Sequence, residues 1–262
     1  MNPRAPFQPD FLHEHLVATG LYAQVTVVHT TGSTNSDVIA LAQQGCPAFT
    51  ALLAEHQSAG RGRMGRSYAS PAYAQIPLSV LIRPSQAAIE RLGTMPLAAG
   101  LALIDALPPA SQVGLKWPND LQCNGKKLCG ILAEAVSLGE HPAVVIGLGL
   151  NTDIQVAELP VPHATSLSLE GIAFDRNDLA VKILQALHTR LSQWEADDPV
   201  LLDDYRAVST TIGQEVKVLL PDHTELLGQA TGIADDGRLI VRDAAGQLHV
   251  LSAGDVTHLR LQ

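Results

Sequence analysis

Between Glu55 and Arg66 the chain reads E-H-Q-S-A-G-R-G-R-M-G-R, so that Arg61, Arg63 and Arg66 alternate with Gly60, Gly62 and Gly65. Glycine lets a backbone reach φ > 0 and approach a ligand closely. Arginine presents a planar fork of donors that matches carboxylate and phosphate oxygens. The combination suits a loop that clamps an anion, and it equally suits a solvated basic turn or a contact with nucleic acid. The flanks are apolar: F-T-A-L-L-A-E (Phe49–Glu55) enters the loop and L-S-V-L-I-R (Leu78–Arg83) leaves it. Both read as strands, and the roughly 20 residues between them exceed an ordinary connection, which points to a functional loop.

The composition narrows these readings. The 262 residues are 46% apolar and 16% charged, enough for one large domain or a large and a small one. A formal net charge of −9 argues against a general binder of nucleic acid or anionic membrane, so the arginine cluster is a local device in an acidic protein. Cys46, Cys123 and Cys129 are three, unpaired in spacing, which fits neither a disulfide framework nor a zinc site and suits a reducing cytoplasm. The N-terminus lacks the pattern of a signal peptide, and no apolar run is long enough for a transmembrane helix.

Outward from the loop, residues 1–24 read as a loose lead-in with one short helix at Phe11–Leu16. V-T-V-V-H (Val25–His29) is a strand. It runs through T-T-G-S-T-N-S-D into a helix whose face carries Val38, Leu41, Ala42 and Gly45, with Ser33 or Thr34 as N-cap and Gly45 past the end. Pro96–Leu107 is apolar nearly all round and reads as a buried helix. V-G-L-K-W-P-N-D-L (Val113–Leu121) is a short strand running into a Pro118 turn, and N-G-K-K-L-C-G-I-L-A-E (Asn124–Glu134) forms a hairpin with it through Asn-Gly. A-V-V-I-G-L-G-L-N (Ala143–Asn151) is a strand buried on both faces. Its two glycines lack the third glycine and the following helix of a dinucleotide fingerprint, and no phosphate-loop G-x-x-x-x-G-K-[ST] occurs. Residues 152–176 read as loop. Asp178 is set to cap a helix carrying Leu179, Ile183, Leu187, Leu191 and Trp194, and a further helix covers about Val200–Ala207. From Gly213 the pattern becomes five short strands with tight turns, a small barrel.

Polar candidates gather at strand ends and loops: Ser33–Asn35, Gln57–Arg66, Lys116–Asp120, Lys127 and Asn151. No Ser-His-Asp or Cys-His arrangement is suggested. His29, His56, His141 and His163 are scattered and read as surface or satisfied histidines, and the carboxylates do not cluster as in a metal site. Positioning and charge neutralisation remain as the source of catalysis, which describes a transferase or ligase acting on an anionic substrate.

Five motifs in order carry a more specific resemblance: S-T-N (Ser33–Asn35), Q-S-A-G-R-G-R-M-G-R (Gln57–Arg66), K-W-P-N-D-L (Lys116–Leu121), K-L-C-G-I-L-A-E (Lys127–Glu134) and G-L-G-L-N (Gly147–Asn151), followed by G-D-V at Gly254–Val256. From about residue 25 to the end the chain resembles biotin protein ligases. The resemblance implies an α+β fold: a mixed-sheet catalytic domain of the biotin/lipoate ligase type over residues 1–210, then a small SH3-like β-barrel over 211–262. It implies an enzyme that uses ATP and Mg²⁺ to activate biotin as biotinyl-5′-AMP and transfers it to a lysine of the biotin carboxyl carrier protein. Carried over by motif, Ser33, Thr34, Asn35, Gln57, Gly60, Arg61, Gly62, Arg63, Lys127 and Gly130 bind biotin. Arg61, Arg63, Arg66, Trp117, Asn119, Lys127 and Asn151 serve ATP. Arg63, Lys127 and Asp120 act in catalysis, Asp120 by accepting a hydrogen bond from the incoming lysine, and no residue is assigned to a metal. Residues 152–170 correspond to the segment that orders over adenine. Tyr68 stands where the family often has Trp, and the paired glycines frequent after Ser70-Pro71 are missing, which bears on loop closure. The short stretch before the first strand resembles the ligase-only form without a DNA-binding domain. With the acidic charge and unpaired cysteines, the expectation is a cytoplasmic enzyme with no nucleic-acid or membrane partner, as monomer or homodimer. The nearest rivals are a lipoate-protein ligase or octanoyltransferase and, from another class, a non-enzymatic nucleic-acid-binding module.

Overall fold

The computed structural model describes residues 4–68, 71–109 and 112–259. A short α1 (Pro9–Leu12), extended by one wider turn to Val17, precedes β1 (Gln24–Thr31), α2 (Thr34–Gln43) and β2 (Thr50–Gln57). The arginine-glycine segment forms a small ribbon, β3 (Gly60–Arg61) against β4 (Ser67–Tyr68), around a tight turn at Arg63–Gly65. There follow β5 (Gln75–Ile82), α3 (Gln86–Ile89), α4 (Met95–Ala106), β6 (Val113–Lys116), β7 (Asp120–Cys123), β8 (Lys126–Ser137) and β9 (Ala143–Asn151). Helices α5 (Arg176–Glu195) and α6 (Val200–Val208) lead into β10 (Glu215–Leu219), β11 (Glu225–Ile233), β12 (Leu239–Arg242), β13 (Leu248–Leu251) and β14 (Asp255–His258).

Seven strands make one sheet in the order β1-β2-β5-β9-β8-β7-β6. Only β1 and β2 are parallel, because α2 carries the chain back between them; every other neighbour is antiparallel. The Asn-Gly turn joins β7 to β8 with φ of 51° at Asn124 and 73° at Gly125, as a two-residue hairpin needs. The last five strands form an antiparallel sheet, β13-β12-β11-β10-β14, the small SH3-like barrel.

Side-chain alternation explains why β9 is apolar throughout. Val144, Ile146, Leu148 and Leu150 face the main core with α4 and α5. Val145 packs under Val38 and Ala42 of α2 on the opposite face. That opposite row continues as Gly147, under Asn35 at the start of α2, and then Gly149 and Asn151. The two glycines therefore lie inside a strand, and they make a floor.

Two local expectations are corrected. The lead-in is tied down: Phe7, Leu12 and Leu16 are buried, and the Phe7 N–H donates to Glu55 Oε1 at 2.6 Å. Helix α5 starts earlier than Asp178; Asp175 is the N-cap and accepts from the N–H groups of Asn177 and Asp178. Either aspartate fits the pattern, and Arg176 decides between them. It is fully buried, pairs with Glu55 at 2.5 Å and lies 3.6 Å over the Phe7 ring, so the first turn is pulled into the core.

Candidate active site

The sheet register sets three rows across the face on which α2 packs, running outward from beneath its first turn. Leu52, Ser79, Gly147 and Leu132 lie side by side; next come Pro77, Gly149, Gly130 and Asp120; last, Gln75 and Asn151. A cavity of about 480 Å³ stands on these rows, a size suited to a small molecule.

Its closed end is a polar bowl at the N-terminus of α2, where backbone N–H groups and the positive end of the dipole gather. Gln57 Oε1 accepts from the Thr34 N–H at 2.8 Å and from the Thr34 hydroxyl at 3.0 Å. Ser33 takes the N-cap position without a side-chain cap bond, so Gln57 from β2 supplies the capping oxygen instead. Asn35 is buried: its Oδ1 accepts from the Ser79 hydroxyl at 2.5 Å and its Nδ2 donates to Glu134 Oε2 at 2.7 Å. Asn35 fills the space over Gly147. A Cβ on Gly147 would lie 2.8 Å from Asn35 Cγ, so only glycine fits beneath that amide.

The middle of the cavity carries the charge. Lys127 Nζ donates to Asp120 Oδ1 at 2.6 Å. A Cβ on Gly130 would meet the Lys127 Cε and Nζ at 3.3 Å, so the bare glycine lets the lysine lie across the strand toward Asp120. Arg63 donates to Asn119 Oδ1 at 3.1 Å, and Asn119 Nδ2 donates to the Ile131 carbonyl at 2.7 Å. Arg61 pairs with Glu134 at 3.1 Å and Arg66 pairs with Asp255 of the barrel. Such exposed pairs are worth about 0–1 kcal/mol, so an incoming anion can take each arginine over. Behind this cluster burial lowers the Lys116 pKa, with Asp120 opposing and Lys127 adding to the effect. Burial, reinforced by Lys116, drops His258 to about 4.

The open end is walled by Asn151 and by Pro160, Val161, His163 and Ala164. Asn151 is locked, accepting from Gln75 Nε2 at 2.8 Å and donating to the Thr165 carbonyl at 2.8 Å. The 152–170 segment is stitched to β8, since the Lys127 N–H donates to the His163 carbonyl at 2.7 Å.

The structure thus gathers Ser33, Thr34, Asn35, Gln57, Arg61, Gly62, Arg63, Arg66, Asn119, Asp120, Lys127, Gly130 and Asn151 around one cavity. Two expected residues stand apart. Gly60 is buried in β3 and does not line it. Trp117 is buried on the far side of its segment, in a second cavity, where its indole N–H donates to the Gly237 carbonyl at 3.0 Å. Alternation on the way into Asn119-Asp120 turns the ring toward the barrel, so it braces the site from behind. Sequence reading missed Ser79, Glu134, His163 and Asp255. Ser79 had a usable signal, a lone hydroxyl in an apolar strand. Asp255 had one in G-D-V, Glu134 had one as the last residue of K-L-C-G-I-L-A-E, and His163 had none. The side chain of Tyr68 and the segment around Ser70 lie outside the described residues.

Among the described residues, no group of three or more His, Cys, Asp or Glu is placed to hold a metal ion. Nor is any helix among them long and apolar enough to cross a membrane.

A lysine and three loop arginines beside a closed polar bowl make a cavity suited to a small anionic molecule; the family comes from comparison with known proteins. The Biotin/lipoate A/B protein ligase family matches residues 27–151, and the Biotin protein ligase C terminal domain matches 211–259. A biotin–[acetyl-CoA-carboxylase] ligase of Mycobacterium tuberculosis is 46% identical over 266 residues, 98% of this chain and 97% of that protein. The biotin protein ligase of Aquifex aeolicus, solved with biotin and ATP, superposes with a TM-score of 0.76 at 25% identity, over 92% of this chain and 100% of that one. That of Leishmania major, solved with biotinyl-5-AMP, gives 0.58 at 26%, over 88% and 99%. The chain belongs to the biotin protein ligase family and is an enzyme of it.

Proposed function

We propose that this enzyme activates biotin with Mg·ATP as biotinyl-5′-AMP and transfers the biotinyl group to one lysine of the biotin carboxyl carrier protein of acetyl-CoA carboxylase. The observation that carries this is the single track from the polar bowl at α2, over the Gly147–Gly149–Gly130 floor, to the Lys127–Asp120 pair between the loop arginines. A fused-ring urea fits the closed end, where Ser33, Asn35 and Gln57 offer both donors and acceptors. The acyl chain lies over bare strand, and the carboxylate meets Lys127.

In the first half-reaction a biotin carboxylate oxygen attacks the α-phosphorus of ATP and pyrophosphate leaves. Lys127 and Arg63 hold the two anions together and neutralise charge that grows in the transition state. Arg66 and Arg61 serve the nucleotide phosphates, and Asn119 and Asn151 the nucleotide side. Magnesium would come with the triphosphate and offset its charge; among the described residues no cluster of carboxylates is placed to hold it independently. In the second half-reaction the carrier's lysine amine attacks the acyl carbon, AMP leaves, and Asp120 accepts the hydrogen bond of the amine once Lys127 has turned to the phosphate. The arginine-glycine ribbon closes over the mixed anhydride and keeps water from it.

The same reading divides the chain into a catalytic domain of residues 1–210 and a barrel of 211–262, and takes it as a cytoplasmic ligase. The test is biotin-dependent exchange of labelled pyrophosphate into ATP. Wild type exchanges and Lys127→Ala is suppressed; near-normal exchange in Lys127→Ala removes that residue from the site, and exchange driven by lipoate instead of biotin sinks the reading.

A further inference from the structure

The N-terminal segment grips the open end of the site from outside. All of the Arg4 guanidinium nitrogens are used there: Nε donates to Asp153 Oδ2 at 2.9 Å, Nη2 to the Asp153 carbonyl at 2.8 Å and to Glu158 Oε2 at 2.5 Å, and Nη1 to Glu158 Oε1 at 3.2 Å. Asp153 is 7% exposed, so its carboxylate relies on Arg4 for a counter-charge. Glu158 also accepts from the Gln155 N–H at 2.9 Å, which closes the tight turn Val156–Glu158. Two residues further on, Pro160 and Val161 begin the wall of the cavity, and the His163 carbonyl holds the Lys127 backbone. The other end of the segment is anchored without Arg4. Arg176 holds the Ala5 carbonyl at 3.0 Å, and Asn177 holds the Gln8 N–H at 2.7 Å.

We propose that residues 4–8 are a strap that positions segment 153–164 over the nucleotide, with Arg4 as its positioning residue. The proposal rests on the reading that this wall takes ATP. Without Arg4, Asp153 is a mostly buried carboxylate that has lost its cation. The segment must open to hydrate it, and the wall built on it goes too. The bowl at α2 lies at the other end of the cavity and shares no partner with Arg4, so biotin binding is separate.

Arg4→Ala, with the remaining strap anchors intact, should raise the KM for ATP about fivefold, the size expected when a coupled network loses one member. The biotin Kd and kcat at saturating ATP should stay within about twofold, the usual scatter between independent sites. Amide hydrogen exchange should speed up across 153–164 and at the Lys127 N–H that the His163 carbonyl holds, and not in the rest of β8. Arg4→Lys, which keeps charge and loses the fork, should recover part of the effect. In the double variant with Glu158→Gln the two effects should fall short of additive. The proposal is overturned by an unchanged ATP KM together with unchanged exchange at 153–164. It is also overturned if biotin Kd, ATP KM and Tm worsen together, which would mark a general loss of stability. Should the wild type prove not to use ATP, the nucleotide reading fails, while faster exchange confined to 153–164 still registers the strap.

Discussion

Gly147→Ala tests the bowl with a single methyl group. The added carbon would occupy the space of the Asn35 amide, 2.8 Å from its Cγ in the present arrangement. The backbone of β9 cannot retreat, because Gly147 is paired with Ser79 on one side and Leu132 on the other. Asn35 must swing away, giving up the Glu134 carboxylate and the Ser79 hydroxyl. Overpacking of this kind costs about 1–3 kcal/mol. Losing a bond to a charged acceptor adds about 1.5–3 kcal/mol where no water replaces it. A total of about 2.5–6 kcal/mol lowers Tm by roughly 5–24 °C at this chain length. Biotin should bind about 100-fold more weakly, because the bowl loses a donor-acceptor pair that it needs to read a urea. Calorimetric titration with biotin and a thermal melt measure both. The double variant Gly147→Ala/Asn35→Ala separates the causes: it relieves the clash and should regain most of the Tm while biotin binding stays weak. Wild-type affinity in Gly147→Ala would refute the placement of the ring system against the Asn35 amide.

Three further outcomes follow from other parts of the molecule. Arg63→Gly removes the charge that now rests on Asn119, and should speed dissociation of biotinyl-5′-AMP about tenfold, read in a chase with excess unlabelled biotin and ATP. Trp117→Phe should lower stability by about 1–2 kcal/mol in urea melts, from the lost Gly237 bond and the ring's volume, yet leave the KM for ATP near wild type; a large KM change would return the indole to the nucleotide site. His258 binds its proton less well folded than unfolded, so the unfolded chain takes up more protons between about pH 6.5 and 4. Its contribution to stability is therefore complete above pH 6.5 and is lost as the pH falls toward 4. The loss is about 1–2 kcal/mol after allowance for a half-exposed ring, and His258→Gln should flatten that part of the profile.

What could be read from sequence was whatever rests on local pattern. Strand alternation, the Asn-Gly hairpin and the buried run of β9 are decided by neighbours in the chain, and the sheet follows from them. The motifs located the bowl and the charged centre because each sits on a strand end or helix start that the pattern already marks. What escaped depends on contacts between distant segments. Trp117 lies one alternation step from solvent-side residues, and only the barrel packed behind it shows which way the ring turns. Asp255 stood in the G-D-V motif, but its pairing with Arg66, 189 residues away, is a contact no local pattern spans. The lead-in looked loose because its order comes from Glu55, Arg176 and Asn177, far along the chain. Arg176 itself is an arginine in a helix start, ordinary by sequence, and only its burial against Glu55 and Phe7 reveals its role.

The most direct test of the central claim is intact-mass analysis of an apo biotin carboxyl carrier domain after incubation with the enzyme, biotin and Mg·ATP. The account predicts that the carrier gains the mass of one biotinyl group on a single lysine, and that none is gained when Asn35→Ala/Lys127→Ala replaces the wild type. An unmodified carrier with active wild-type enzyme, or a carrier modified equally well by the double variant, would contradict it.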